Sequence, residues 1–156
     1  MVKVLQCPFG KGAKAATYII SLIFSGLGVY CTYEVVNSFE PTRYLFAILI
    51  LIAAYLITFI QMPKEIIADD IEITIRLMGF TFRIPWQEVE SIEKYDTKGL
   101  FQLFGTSGLF GFIGLYRKSG QTMLGIFSDT AKTYILRRKG KRPILFSAEE
   151  LLQRPQ

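Results

Sequence analysis

AATYIISLIFSGLGVYCTY (residues 15–33) and YLFAILILIAAYLITFIQM (residues 44–62) decide how this chain is built. Neither stretch holds a charged side chain. Each is close to the roughly 20 residues that an α-helix needs to cross a hydrocarbon core about 30 Å thick. The rest of the composition agrees. Of 156 residues, 51% are hydrophobic and 20% charged, against about a quarter charged in an ordinary soluble domain. Two such runs side by side predict a pair of membrane-spanning helices. The first run is longer than the apolar core of a secretory signal, and no small-x-small cleavage site follows it. Cys7, in the sequence LQC, has no apolar segment before it that would mark a lipid-attachment site. The first segment therefore reads as a permanent anchor.

Basic residues near the helix ends set the expected orientation. Lys3, Lys11 and Lys14 precede the first run, and Lys64 follows the second. The ten residues 34–43 between them carry Arg43 opposed by Glu34 and Glu40. By the positive-inside rule both termini face the cytoplasm and this connection faces out. Tyr30, Tyr33 and Tyr44 suit the headgroup level at the outer end. So short a connection makes the helices antiparallel neighbours. Ser21, Ser25, Gly28 and Thr32 recur at steps of four, three and four, placing small residues on one face of the first helix. Such a face lets backbones approach where lipid supplies no hydrophobic drive. It packs the hairpin, or else it meets a second copy in a homo-oligomer. Neither run carries an ionisable residue at mid-depth, which argues against a transport pathway or a proton relay.

From Pro63 the pattern changes. Ile71, Ile73, Ile75 and Leu77 alternate with Glu72, Thr74 and Arg76, Met78-Gly79 punctuates, and Phe80, Phe82 and Ile84 continue the period of two. This is the signature of a hairpin with one buried face. Further strands are expected at about 91–95, 112–117, 121–127, 133–138 and 143–146, with Lys118-Ser119-Gly120 and Lys139-Gly140-Lys141 as turns. Ser147-Ala148-Glu149-Glu150 has the spacing of a helix capping box, so a short terminal helix is expected there. The chain thus divides into residues 1–62, a tail and helical hairpin, and residues 63–156, a sheet domain.

Three blocks carry a resemblance: IEITIRLMGFTFRIPWQEVESIE (71–93), the glycine-rich GTSGLFGFIGLYR (105–117) and ILRRKGKRPILFSAEE (135–150). Following two membrane helices, this order resembles a bacterial pleckstrin-homology-like (PH) domain protein. The resemblance covers nearly the whole chain, and the glycine-rich block is its most specific part. It implies an α+β fold, a bent sheet of about seven antiparallel strands closed by a C-terminal helix, on the inner (cytoplasmic) membrane. It lends a fold more readily than an activity.

The chemistry is read mostly from what is missing. There is no histidine, which removes the commonest general base and metal ligand. Cys7 and Cys31 lie too far apart for a zinc site or a disulfide. Asp69-Asp70 reads as a turn former, and the glycines lack the Gly-Lys-Ser/Thr ending of a phosphate-binding loop. No enzyme activity and no cofactor is expected.

Two features remain. Gly105, Gly108, Gly111 and Gly114 recur at every third position, a spacing that argues against a regular strand. The apolar Leu109, Phe110, Phe112 and Ile113 between them either tuck into the domain's own core or contact lipid, the helices or a partner. Arg137, Arg138, Lys139, Lys141 and Arg142 form a basic turn. It is either a solvated hairpin or a contact for anionic lipid headgroups, which attract each basic side chain by about 1 kcal/mol. In eukaryotic PH domains basic loops bind phosphoinositides, lipids not expected here. Residues 63–156 carry 14 Lys and Arg against 11 Asp and Glu, too small an excess for a nucleic-acid surface. The expected function is a non-catalytic, membrane-anchored scaffold or regulatory adaptor with an unidentified protein partner. The alternative is an accessory or sensor subunit of a larger membrane complex, held through its helices.

Overall fold

A computed structural model describes residues 2–38 and 41–152. Its two long helices are α1 (Lys11–Asn37) and α2 (Pro41–Ile60). At 1.5 Å per residue they measure roughly 40 and 30 Å, each enough to cross a membrane. Almost nothing in the chain covers them: Leu22 is 75% exposed and Ile50 67%. A soluble protein would bury such side chains, since each costs about 1.5–3 kcal/mol to leave in water. The helices are antiparallel neighbours, with Tyr30 edge-on to Tyr44 at one end.

The connection is shorter than the ten residues expected. α1 continues through Asn37, and Ser38 donates its backbone N–H to the Glu34 carbonyl. Asn37 also reaches back to the Tyr33 carbonyl. At 27 residues this helix is longer than the roughly 20 that cross a hydrocarbon core, and its last turn, with Glu34 and Asn37, is polar. Pro41 then opens α2, where a first-turn proline loses no hydrogen bond.

All seven expected strands form, but among the described residues there are ten. The additional three are β1 (Lys3–Gln6), β2 (Pro63–Ala68) and β6 (Phe101–Ser107). The others are β3 (Glu72–Leu77), β4 (Thr81–Pro85), β5 (Val89–Lys94), β7 (Phe112–Lys118), β8 (Gln121–Phe127), β9 (Thr133–Arg138) and β10 (Lys141–Ser147). They build a four-stranded sheet ordered β1-β2-β3-β4 and a six-stranded sheet ordered β5-β9-β10-β8-β7-β6. The N-terminal tail therefore belongs with the sheets. β1 pairs antiparallel with β2, and Leu5 is buried in the shared core.

The core lies between the two sheets. Ile66, Ile73, Ile75 and Ile84 meet Ile126, Leu136, Ile144 and Phe146 there. Trp86 closes one end and donates its indole N–H to the Asp69 carbonyl at 2.7 Å. Asp69 is a turn former as its sequence suggests. Its carboxylate accepts the Ile71 and Glu72 amides, which hold its pKa below the usual carboxylate range. A second, smaller core of Tyr116, Met123, Phe127, Ile135 and Leu145 covers the opposite face of the six-stranded sheet. The middle strands are buried on both faces, which is why PILF and MLGIF read as near-continuous apolar runs.

Not every strand pair is antiparallel. β8 runs parallel to β10, because the chain passes over β10's place before β9 turns back into it. Ser147 holds this crossover. Its buried hydroxyl accepts the Ser128 and Asp129 amides at 3.1 and 3.0 Å and donates to the Asp129 carbonyl at 2.9 Å. This corrects the expected terminal helix. The serine that would cap it is the last residue of β10, and no helix forms through residue 152. Replacing Ser147 by Ala leaves two interior amides without an acceptor. It is expected to cost about 2 kcal/mol, read as a lowered thermal unfolding midpoint of the full chain in detergent.

Candidate functional site

The glycine-rich block is where the sheets meet the helices. Gly105 and Gly114, expected to break a strand, lie inside β6 and β7 and face each other across the hairpin. A Cβ on Gly114 would strike the Phe104 carbonyl, and one on Gly105 the Ile113 carbonyl. Glycine here does not interrupt pairing; it lets two backbones come together. Gly108 and Gly111 form the tip, closed by a hydrogen bond from the Gly108 N–H to the Gly111 carbonyl at 2.9 Å.

This tip docks on the helix pair. Thr17 of α1 accepts the Phe110 amide at 3.0 Å and donates to the Gly108 carbonyl at 3.1 Å. One hydroxyl thus satisfies two loop groups at a level inside the first apolar run. Phe110 stands edge-on to Tyr55 and Phe59 of α2, with ring centroids 5.2 and 5.5 Å away. To point that way its backbone takes φ 59, a conformation uncommon for a bulky residue. Below the tip, the Gly79 amide donates to the Ile60 carbonyl, and the Gly10 amide to the Ser128 carbonyl. The domain is tied to both helix bases.

The four apolar candidates separate. Phe110 contacts the helices and Leu109 is buried. Phe112 stacks on Phe127 in the second core, and Ile113 packs against the first. One of the four thus lies on the helices, and Phe112 and Ile113 lie against the domain's own cores.

The basic turn sits elsewhere. β10 runs from Lys141 at this turn to Ser147 beside Ser128, whose carbonyl accepts the amide of Gly10 just before α1. Seven strand residues put roughly 20 Å between the cluster and the helix junction. Arg137, Arg138, Lys139, Lys141 and Arg142 thus stand together at the end of the sheet away from that junction. Several of these groups are engaged at the surface of the turn itself. Lys141 pairs with Glu88 at 2.7 Å, the Arg138 guanidinium holds the Arg142 carbonyl, and the Lys139 amide binds the Glu88 carbonyl.

The small-residue face points at α2 without closing on it. Ser21, Ser25 and Gly28, with Ile52 and Tyr55 opposite, line an open groove of about 290 Å³. The hydroxyls of Ser25 and Thr32 return to the carbonyls four residues back. Ser21 reaches the Tyr55 hydroxyl at 3.5 Å.

One surface had no signal in the sequence. β6 is an edge strand, and Phe101, Leu103 and Phe104 on it are exposed, Phe104 by 77%. A bulge between Gln102 and Phe104 turns the second phenylalanine outward. Burial, helped by Glu65, pushes the Cys7 thiol up to about 12, so it is neutral at ordinary pH. Among the described residues no three His, Cys, Asp or Glu side chains converge as metal ligands. Comparisons with known protein families, with curated proteins and with solved structures find no match to this chain.

Proposed function

We propose that this chain is a non-catalytic, membrane-anchored adaptor that holds a sheet domain in fixed orientation against the inner face of a bacterial cytoplasmic membrane. The observation that carries this reading is the docking of the β6–β7 tip on α1 and α2 through Thr17 and Phe110. A flexible tether would need no such contact. The fixed domain presents the β6 edge, whose Phe101, Leu103 and Phe104 form an apolar strip of the kind that marks a protein contact. The helices span the membrane, with both termini cytoplasmic. The PH-like character of the domain belongs to this proposal as well. Its support is the order of the seven expected strands; the parallel β8–β10 pair and the added strands depart from a simple antiparallel closure.

The open groove between α1 and α2 favours a second reading, an accessory subunit bound through its helices. Photo-crosslinking from benzoylphenylalanine placed at Phe104 or at Ile52, in native membranes, separates the two. The adaptor reading expects a discrete protein adduct from position 104. Protein adducts from position 52 alone support the subunit, and lipid adducts alone from both positions overturn both readings.

A further inference from the structure

We infer that the junction of the helix pair with the β6–β7 tip is a binding site for one anionic phospholipid of the leaflet facing the sheet domain, its phosphate drawn to Lys14. This rests on the reading of α1 and α2 as membrane-spanning and not on the adaptor role.

A pocket of about 400 Å³ opens at the base of the helices. Separate segments of the chain build it. Tyr18 comes from α1, Phe59 from the last turn of α2 and Met62 from just beyond it, while Phe9 lies between β1 and α1. Phe110 of the docked tip completes the lining, so the pocket depends on the docking. Its volume falls within the roughly 300–1,000 Å³ of ligand pockets, which are mostly apolar with a few polar groups that fix orientation.

Lys14 is the charged residue on this lining. Among the described residues no carboxylate forms an ion pair with it. It is exposed and lies in the first turn of α1, about 5 Å along the axis from the helix start. In a spanning helix this is the headgroup level. A lysine at such a level lays its aliphatic stem along apolar surface and keeps its ammonium at the polar boundary. The phosphate of a lipid lies at that same boundary.

The acyl chain has a path as well. Tyr18 and Leu22 follow Lys14 at steps of four, in one row up α1, and they are 76% and 75% exposed. From Lys14 to Leu22 the row rises roughly 12 Å, most of one leaflet's half of a core about 30 Å thick. A cation at headgroup depth, beside an apolar pocket and below an apolar row, matches an amphiphile with a phosphate at one end. A soluble anion would gain nothing from Phe9, Phe59, Met62 and Phe110. A zwitterionic headgroup carries its own cation beside the phosphate, so an anionic one answers Lys14 better.

The test is native mass spectrometry of the full chain released from a neutral detergent, with phosphatidylglycerol and phosphatidylcholine of identical acyl chains. The wild type should hold one phosphatidylglycerol about fivefold more tightly than phosphatidylcholine. Lys14→Gln should erase this preference, and Lys14→Arg should keep it. Lys11→Gln, in the same turn but off the pocket, should also keep it. Gln and Arg are helix formers like Lys, so no unfolding midpoint should move. Absence of the preference in the wild type overturns the site. So does an equal loss in Lys11→Gln and Lys14→Gln, which marks a diffuse attraction to a basic helix end. Carbonate extraction from membranes checks the spanning reading separately. A chain that carbonate washes off fails at that reading, and one that stays without preferring phosphatidylglycerol fails at the site alone.

Discussion

Gly114→Ala is expected to destabilise the sheet domain by about 3 kcal/mol or more, a loss of roughly 12 °C or more in unfolding midpoint. Two costs combine. The residue sits at φ 151, outside the range that side chains favour. An added Cβ would also drive into the Phe104 carbonyl and lie 2.7 Å from the Gly105 Cα. These are backbone atoms of a paired strand, so no side chain can swing aside. Gly105→Ala faces the mirror-image obstacle at Ile113 and Gly114. Either substitution forces the hairpin open, and the double variant should cost less than the sum because the strands need part only once. Gly120→Ala is the control. It lies at φ 82 with nothing within 4 Å of its would-be Cβ, so it should cost only the conformational penalty of about 1–2 kcal/mol. Unfolding of the three variants in one detergent would check this. Equal losses at Gly114 and Gly120 would sink the close-approach account of the glycine spacing.

The sequence made the strands legible where burial is one-sided or where apolar runs are long. β3 and β4 alternate cleanly, and β8 to β10 are bounded by turn residues. It failed where other physics decided. β1 is four residues long and buries Leu5 fully, too little for any periodicity. β2 begins at Pro63, where the pattern changes, but its Ile66-Ile67-Ala68 lie side by side and lack the alternation that marks β3. β6 hides behind its glycines, which local propensity counts against a strand but which cross-strand contact requires. Ser147 shows the same conflict at the other end. Its Ser-x-x-Glu spacing favours a helix cap, and three hydrogen bonds to the crossover outweigh that preference. The candidate site was half visible. Phe110 stood among the apolar residues singled out, but its partner Thr17 lies 93 residues away. The basic turn was visible as charge, while its distance from the helices depends on strand order, which no local pattern encodes.

That long-range contact supports the second large effect. Phe110→Ala is expected to cost about 2–3 kcal/mol, because the ring fills the angle between Tyr55 and Phe59 and little else can collapse into it. Thr17→Val keeps the side chain's shape and should cost about 2 kcal/mol, since the Gly108 carbonyl and the Phe110 amide both lose their partner. A further comparison isolates the strain. Phe110→Gly also removes the ring but relieves the positive φ that alanine retains. It should be less damaging than Phe110→Ala by about 1 kcal/mol, the reverse of the usual order at a buried position. Hydrogen exchange of the full chain in nanodiscs would locate the damage. Amides of the loop tip should lose protection in Thr17→Val and Phe110→Ala, while those of β8 and β10 keep theirs. The consequence reaches function, because the adaptor reading needs the domain fixed to its anchor. If the tip loosens and photo-crosslinking from position 104 falls with it, orientation is what the docking provides. If the tip loosens and the adduct persists undiminished, the β6 edge finds its partner without that constraint, and the fixed geometry serves stability alone.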